Sequence, residues 1–394
     1  MMKKALIAVM ALTLTMAVAP SALAVNSVVT PTEYTQAATQ QTSQLSKIVW
    51  EHAGDLEAQI GQETNIGTAG LLAGTNNGYL LFGGGANFPD GTPATGAAKC
   101  FWPDLYVMKD VDGQLELVNH TSLSYEIGYG VSITTPQGIY YVGGSPDNAK
   151  ACDILLFNIS DDGQVSAQKV GSLPFTFSDG FAVMQSDLLY IGAGKQDGKA
   201  TNRTWSYNVR TGECKELAPM PGADTRTQCV AQALNGRICV FSGGDAVAYT
   251  DGYSYNIATN SWTRLADVQI GEEKISLLGA QSVKLNNEEM LVIGGFNKEI
   301  YDDAVYQLGN LQGDELQAFK DVYFNADSYT FKWNKKVLIY NATTNQWRSV
   351  GEVPFPAPCG EGLVLQGNKI YSVNGEIKPG TRSNRTYSGT LVFD

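Results

Sequence analysis

Short apolar runs bounded by polar turns recur along the whole chain, and six of them end in a glycine doublet or near-doublet. They are YLLFGGG ending at Gly85, IYYVGG at Gly144, LLYIGAG at Gly194, ICVFSGG at Gly244, MLVIGG at Gly295 and IYSVNG at Gly375. Each follows an apolar or small-residue strand and a turn such as Asn76-Asn77-Gly78 or Asn235-Gly236. A polar loop, a strand with an aromatic, a turn and often a tryptophan come after the doublet, as in YSYNIATNSWTRL and VLIYNATTNQWRSV. Tyr255 thus matches Trp262 and Tyr340 matches Trp347, with Cys214 where a third tryptophan would stand. Their spacing suits packing between sheets better than a binding stripe.

Most of the runs lie about 50 residues apart, the kelch period. Four strands per repeat and six repeats predict an all-β fold, a six-bladed kelch-type β-propeller. The last repeat, ending in SGTLVFD, supplies only a third strand, whereas KIVWEHAGDL near the start reads as an orphan fourth. Pairing Ile48 to Trp50 with Leu391 to Phe393 would close the sixth blade. The propeller is therefore expected over 47–394. Two loops exceed the period, Ala86 to Pro103 and about Asn297 to Lys335. Both follow a doublet, so both should overhang one mouth of the channel, where a site is expected. Leu316, Phe319, Lys320 and Tyr323 are at helical spacing in the second.

Composition adds the compartment. Lys3 and Lys4 precede an apolar run, and Ala22-Leu23-Ala24 has the form of a cleavage site, so residues 1–24 read as a signal peptide and 25–46 as a flexible leader. The run is too short for a membrane anchor. An exported protein, periplasmic or secreted, is expected. The formal net charge is -12, and two units more negative once Lys3 and Lys4 are removed. That argues against nucleic acid and anionic membrane as partners. The six cysteines are scattered, and a two-residue turn at Asn235-Gly236 would set Cys239 opposite Gln232 rather than Cys229, which argues against a bridge between them. Two histidines and no CxxC make a metal site improbable, and no cofactor is expected.

Residues after the doublets and before the first strands should face the mouth. The first group holds Asn87, Ser145, Lys195, Asp245, Asn297, Lys298, Glu376, Lys378 and Arg382, and the second Tyr129, Asp179, Arg226 and Glu361. Cations, amides, a phenol and a few carboxylates suit a small polar anion such as an acidic sugar.

Three segments carry a family resemblance: GGANFPDG (Gly84 to Gly91), RTQCVAQALNGRICVFSGG (Arg226 to Gly244) and above all NGEIKPGTRSN (Asn374 to Asn384). They resemble the bacterial sialic acid mutarotases, or N-acetylneuraminate epimerases, in a branch whose blade order is cyclically permuted. The resemblance implies interconversion of the α and β anomers of N-acetylneuraminate, with Glu376 and Arg382 as the catalytic pair. Glu376 would be the acid/base, and Arg382 would hold the substrate carboxylate, which a guanidinium fork matches. Asn87, Arg226, Asn297 and Lys298 are further candidates for substrate contact. Two other readings stay open: a kelch interaction scaffold, for which YFNADSYTFKW could offer an exposed aromatic face, and a protein that binds the sugar without turnover.

Overall fold

The computed structural model of the protein describes residues 44–394. The expected signal peptide and most of the expected leader lie outside these residues. The first strand, Leu45–Asp55, begins within the last two positions assigned to the leader.

The described chain is all-β apart from one insertion. Six antiparallel sheets of four or more strands follow one another, five of them built from strands of one continuous stretch of chain, and three sheets of two or three short strands lie beside them. The first sheet runs Leu72–Asn76, Tyr79–Gly83, Cys100–Val111 and Gln114–Ile127, the third Phe181–Gln185, Leu188–Gly192, Thr204–Asn208 and Cys214–Leu217. The sixth is Gly362–Gln366, Lys369–Val373 and Arg385–Phe393, with Leu45–Asp55 hydrogen-bonded as its fourth strand. The register is displaced from the expected pairing of Ile48 to Trp50 with Leu391 to Phe393: Ile48 meets Leu391, Trp50 meets Gly389, and Phe393 meets Leu45.

Local chemistry explains the hairpins. Asn77 (φ 51°) and Gly78 (φ 80°), like Asn235 (φ 48°) and Gly236 (φ 71°), take the left-handed conformations that a two-residue turn between twisted strands requires. Cys239 consequently faces Gln232, and all six cysteines are free.

Packing joins the sheets in succession. Phe241 and Val230 of the fourth sheet share a core with Met290, Leu338 and Tyr340 of the fifth. Between sixth and first, Tyr371 and Val373 pack against Leu80, Phe82 and Tyr106. The aromatic pairs stand where the repeat implied: Tyr255 opposite Trp262 and Tyr340 opposite Trp347, the latter edge-on to Phe241 at 4.9 Å.

Backbone hydrogen bonds link the sheets at one level. Two residues before each first strand, the N–H of Tyr129 donates to Gly70 (2.7 Å), Asp179 to Tyr129 (2.8 Å) and Gln228 to Asp179 (2.6 Å). Gly279 donates to Gln228 (3.4 Å), Gly360 to Gly279 (2.7 Å) and Gly70 to Gly360 (2.7 Å), returning to the start. All six have positive φ, tolerable for glycine and strained for Tyr129, Asp179 and Gln228.

The insertion after the fifth doublet forms two helices, α1 (Lys298–Asn310) and α2 (Gly313–Asn325). The spacing of Leu316 to Tyr323 foretold α2, and α1 was not foreseen. No helix among the described residues is long and apolar enough to cross a membrane.

Candidate functional site

The second strand of the sixth sheet, Lys369–Val373, leads into a small hairpin, Glu376–Lys378 with Thr381–Arg382. Gly375 (φ 95°) makes the bend, and Pro379-Gly380 makes the tip. Glu376 exchanges two 2.8 Å backbone hydrogen bonds with Cys359, which pins its Cα from below. Glu376 and Arg382 are then direct cross-strand partners.

Their side chains meet. Arg382 Nη1 donates to Glu376 Oε1 at 3.1 Å, and the Gly380 N–H donates to the same oxygen at 2.7 Å. Arg382 is further held by the Ala86 carbonyl, to which its Nε donates (3.2 Å), and by the Tyr129 hydroxyl (Nη2, 3.4 Å). Its guanidinium lies 4.8 Å from the centre of the Phe88 ring, and its side chain is only 3% exposed. The fork expected to be open for a carboxylate is thus largely taken up by the protein. Glu376 keeps 18% of its side chain exposed.

The two insertions cover this hairpin. A Cβ at Gly380 would stand 2.5 Å from Pro93 Cδ and 3.5 Å from Phe324 Cδ1, so the tip sits between the Pro93–Thr95 turn and α2. Lys378 Nζ donates to the Ala326 carbonyl at 2.8 Å, and Gln317 of α2 reaches the Ala94 carbonyl. Burial, and then the nearby charge of Glu376, push the Tyr323 hydroxyl well above its ordinary value. The helical insertion therefore lies against the hairpin, through Ala326 and Phe324.

Tyr129, one of the residues expected at the mouth, is central. Its hydroxyl accepts from Arg382, and Phe101 meets its ring edge-on at 5.9 Å. Gly70 has to be glycine, since a Cβ there would lie 2.5 Å from the Tyr129 ring.

The other four candidates have partners inside the protein. Asn87 is buried, donating to the Gly67 carbonyl (2.8 Å) and accepting from Trp102 Nε1 (2.9 Å). Asn297 caps α1 by accepting from the Ile300 N–H, and Lys298 donates to Asp302 (2.6 Å) and to the Ala248 carbonyl (2.7 Å). Arg226 is 0% exposed, its fork bidentate on Asp251 (2.5 and 2.8 Å), with a third bond to the Ser242 carbonyl. Its assignment to the position before the fourth sheet is corrected: Gln228 occupies that level, two residues on. Among the described residues no three His, Cys, Asp or Glu side chains are grouped as a metal site requires.

Two residues stand where the sequence pattern does not put them. Glu361, expected at the mouth, is instead buried beneath Gly375, where a Cβ would stand 3.0 Å from its own. Ser372 Oγ donates to its Oε2, Oε1 has no partner, and burial pushes its carboxyl up to about 8. Lys99, in the first insertion, places its ammonium 5.0 Å from the centre of the Tyr129 ring. No periodic signal marks a lone lysine among small residues in a loop.

Comparison with known proteins adds the family. A family model described as N-acetylneuraminate epimerase matches residues 171–393, more than half of the chain and including the Glu376–Arg382 hairpin. The N-acetylneuraminate epimerase of Yersinia enterocolitica (serotype O:8 / biotype 1B) is 31% identical over 238 residues, 57% of this chain and 58% of that protein. That of Haemophilus influenzae (strain PittEE) is 30% identical over 237 residues, 58% of this chain and 60% of that protein. The chain thus spans about three fifths of the length of these relatives. A solved chain described as "Structure of YjhT" matches with a TM-score of 0.49 and 25% identity, over 56% of this chain and 65% of that one.

Proposed function

We propose that this chain, which belongs to the N-acetylneuraminate epimerase family, is a mutarotase that interconverts the α and β anomers of N-acetylneuraminate. The observation that carries the reading is the Glu376–Arg382 pair, set face to face on a hairpin under two overhanging insertions.

Ring opening needs a base for the anomeric hydroxyl and a donor for the ring oxygen. Glu376 takes the hydroxyl proton, the C2=O bond forms as the bond from C2 to the ring oxygen breaks, and Tyr129 gives its proton to that oxygen. Rotation about C2–C3 turns the other carbonyl face to the oxygen. On closure Tyr129 takes its proton back from the attacking hydroxyl, the bond from that oxygen to C2 forms as the C2=O double bond becomes single, and Glu376 returns its proton to the new anomeric oxygen, so nothing is consumed. Arg382 orients Glu376 and keeps a positive charge beside it as it changes protonation. Asn87, Arg226, Asn297 and Lys298 act as the frame of the site rather than as its lining.

The scaffold in this reading is a closed six-bladed propeller, with the N-terminal strand completing the sixth blade. The hydrogen bonds that run from Gly70 through Gly360 and back support it. Residues 1–24 would direct export.

Proton NMR of freshly released α-N-acetylneuraminate, with and without protein, tests the activity. Faster appearance of the β anomer is expected, and a rate equal to buffer would overturn it. A second reading, an interaction surface, draws on the exposure of Tyr306, Val322 and Tyr329 on the fifth insertion. It predicts that replacing these three leaves the anomer rate unchanged while abolishing a protein contact.

A further inference from the structure

The catalytic pair does not by itself attract an anion. Glu376 and Arg382 sum to no net charge, and the whole chain carries -12. The guanidinium is spent on Glu376, Ala86 and Tyr129 with its side chain almost closed off. An acidic sugar needs another cation close by.

Lys99 meets each requirement. It is exposed, and no carboxylate among the described residues lies within ion-pair distance of its ammonium. Instead the ammonium stands 5.0 Å from the Tyr129 ring centre and 5.8 Å from that of Phe88, the ring that also carries the Arg382 guanidinium. Such aromatic contacts hold a cation in place while leaving its N–H groups free to donate. Tyr129 therefore touches Lys99 through its ring and Arg382 through its hydroxyl, which sets the free cation beside the acid/base pair.

We infer that Lys99 is the carboxylate anchor of the site, binding the acid group that sits on the anomeric carbon while Arg382 holds Glu376. This rests on the mutarotase reading for its substrate, and it moves the role expected of Arg382 to a residue outside the segment that matches the family model. The carboxylate and the reacting carbon are directly bonded in the sugar, so one anchor beside Tyr129 fixes both.

Titration calorimetry tests it independently of turnover, using N-acetylneuraminate and its methyl ester with the parent, Lys99→Ala and Lys99→Arg. A charge-assisted contact to a carboxylate predicts that Lys99→Ala weakens the acid by about 10- to 100-fold. The ester should bind parent and Lys99→Ala alike, and Lys99→Arg should retain most of the affinity for the acid. In the kinetic assay the loss should fall on KM, with kcat within about threefold. Unchanged affinity of Lys99→Ala for the acid, equal losses for acid and ester, or a parent that binds neither would overturn the inference. A parent that binds the acid through Lys99 without accelerating mutarotation would instead overturn the proposed function alone.

Discussion

Arg382 Nη1 and the Gly380 N–H converge on one oxygen of Glu376, at 3.1 and 2.7 Å. Two donors on Oε1 fix the rotamer and leave Oε2 as the edge that can take a proton. Glu376→Gln preserves the shape and most of the hydrogen bonding but removes the base. It should lower kcat by about 10²- to 10⁴-fold, with affinity for the sugar nearly unchanged. Proton NMR of anomer exchange gives the rate and calorimetry the affinity. Turnover equal to that of the parent would remove Glu376 from the mechanism.

Arg382 separates charge from geometry. Lysine keeps the charge but cannot reach the Ala86 carbonyl, Glu376 and the Tyr129 hydroxyl together, because it lacks the planar fork. Arg382→Lys should therefore lose nearly as much kcat as Arg382→Ala, and both should lower thermal stability, since each leaves buried acceptors unpaired. A lysine variant with parental kcat would mean that charge alone suffices.

The hairpin tip offers a purely steric test. Gly380 has φ 78°, and a Cβ there would meet Pro93 Cδ at 2.5 Å. Gly380→Ala combines a left-handed strain of about 1 kcal/mol with displacement of the tip or of the first insertion. Glu376 then loses the N–H that orients it. The expected outcome is a kcat loss of at least about tenfold with a small change in melting temperature, read by the anomer assay and by thermal unfolding.

The six glycine-terminated runs made the sheets legible, because a doublet after an apolar strand recurs whatever the loops contain. The Tyr255–Trp262 and Tyr340–Trp347 pairings and the facing of Cys239 with Gln232 follow from strand period and turn length alone. Register before the first strands was not legible. Arg226 looked equivalent to Tyr129 and Asp179, but Gln228 takes that backbone level, and Arg226, two residues upstream, is held inside the protein by Asp251 and the Ser242 carbonyl. Asn297 was read as mouth lining because it follows a doublet, although an asparagine before a helical stretch is equally a cap. At the site, Glu376 and Arg382 stood out through their motif. Lys99 had none, and only the fold brings it to Tyr129.

Arg226 should accordingly behave as a structural residue. Its guanidinium is fully buried against Asp251, whose own side chain is 13% exposed, and removing one partner leaves the other charge unpaired at a cost of up to about 3–5 kcal/mol. Arg226→Met should lower the melting temperature by many degrees, while the folded fraction keeps the parental KM. A raised KM at unchanged stability would return Arg226 to the list of substrate contacts.

Glu361 makes stability depend on pH in the direction opposite to most carboxylates. Its ordinary value of 4.5 rises to about 8 through burial, offset in part by the hydrogen bond from Ser372. In the unfolded chain the carboxyl ionises as pH passes 4.5, whereas the folded protein keeps the proton until about 8. Unfolding thus releases a proton throughout that window, and this group's contribution, a few kcal/mol at most, is complete below pH 4.5 and lost as pH rises to about 8. Glu361→Gln keeps an acceptor for Ser372 and cannot ionise. Its melting temperature should match the parent's near pH 4.5 and exceed it by a growing margin up to pH 8. Because Glu361 lies against Gly375 and near the Cys359 thiol, its ionisation disturbs the hairpin from below. The parent's rate should therefore fall above about pH 8 more steeply than the variant's. Parallel stability curves for the two proteins across this range would show that Glu361 ionises normally in the fold.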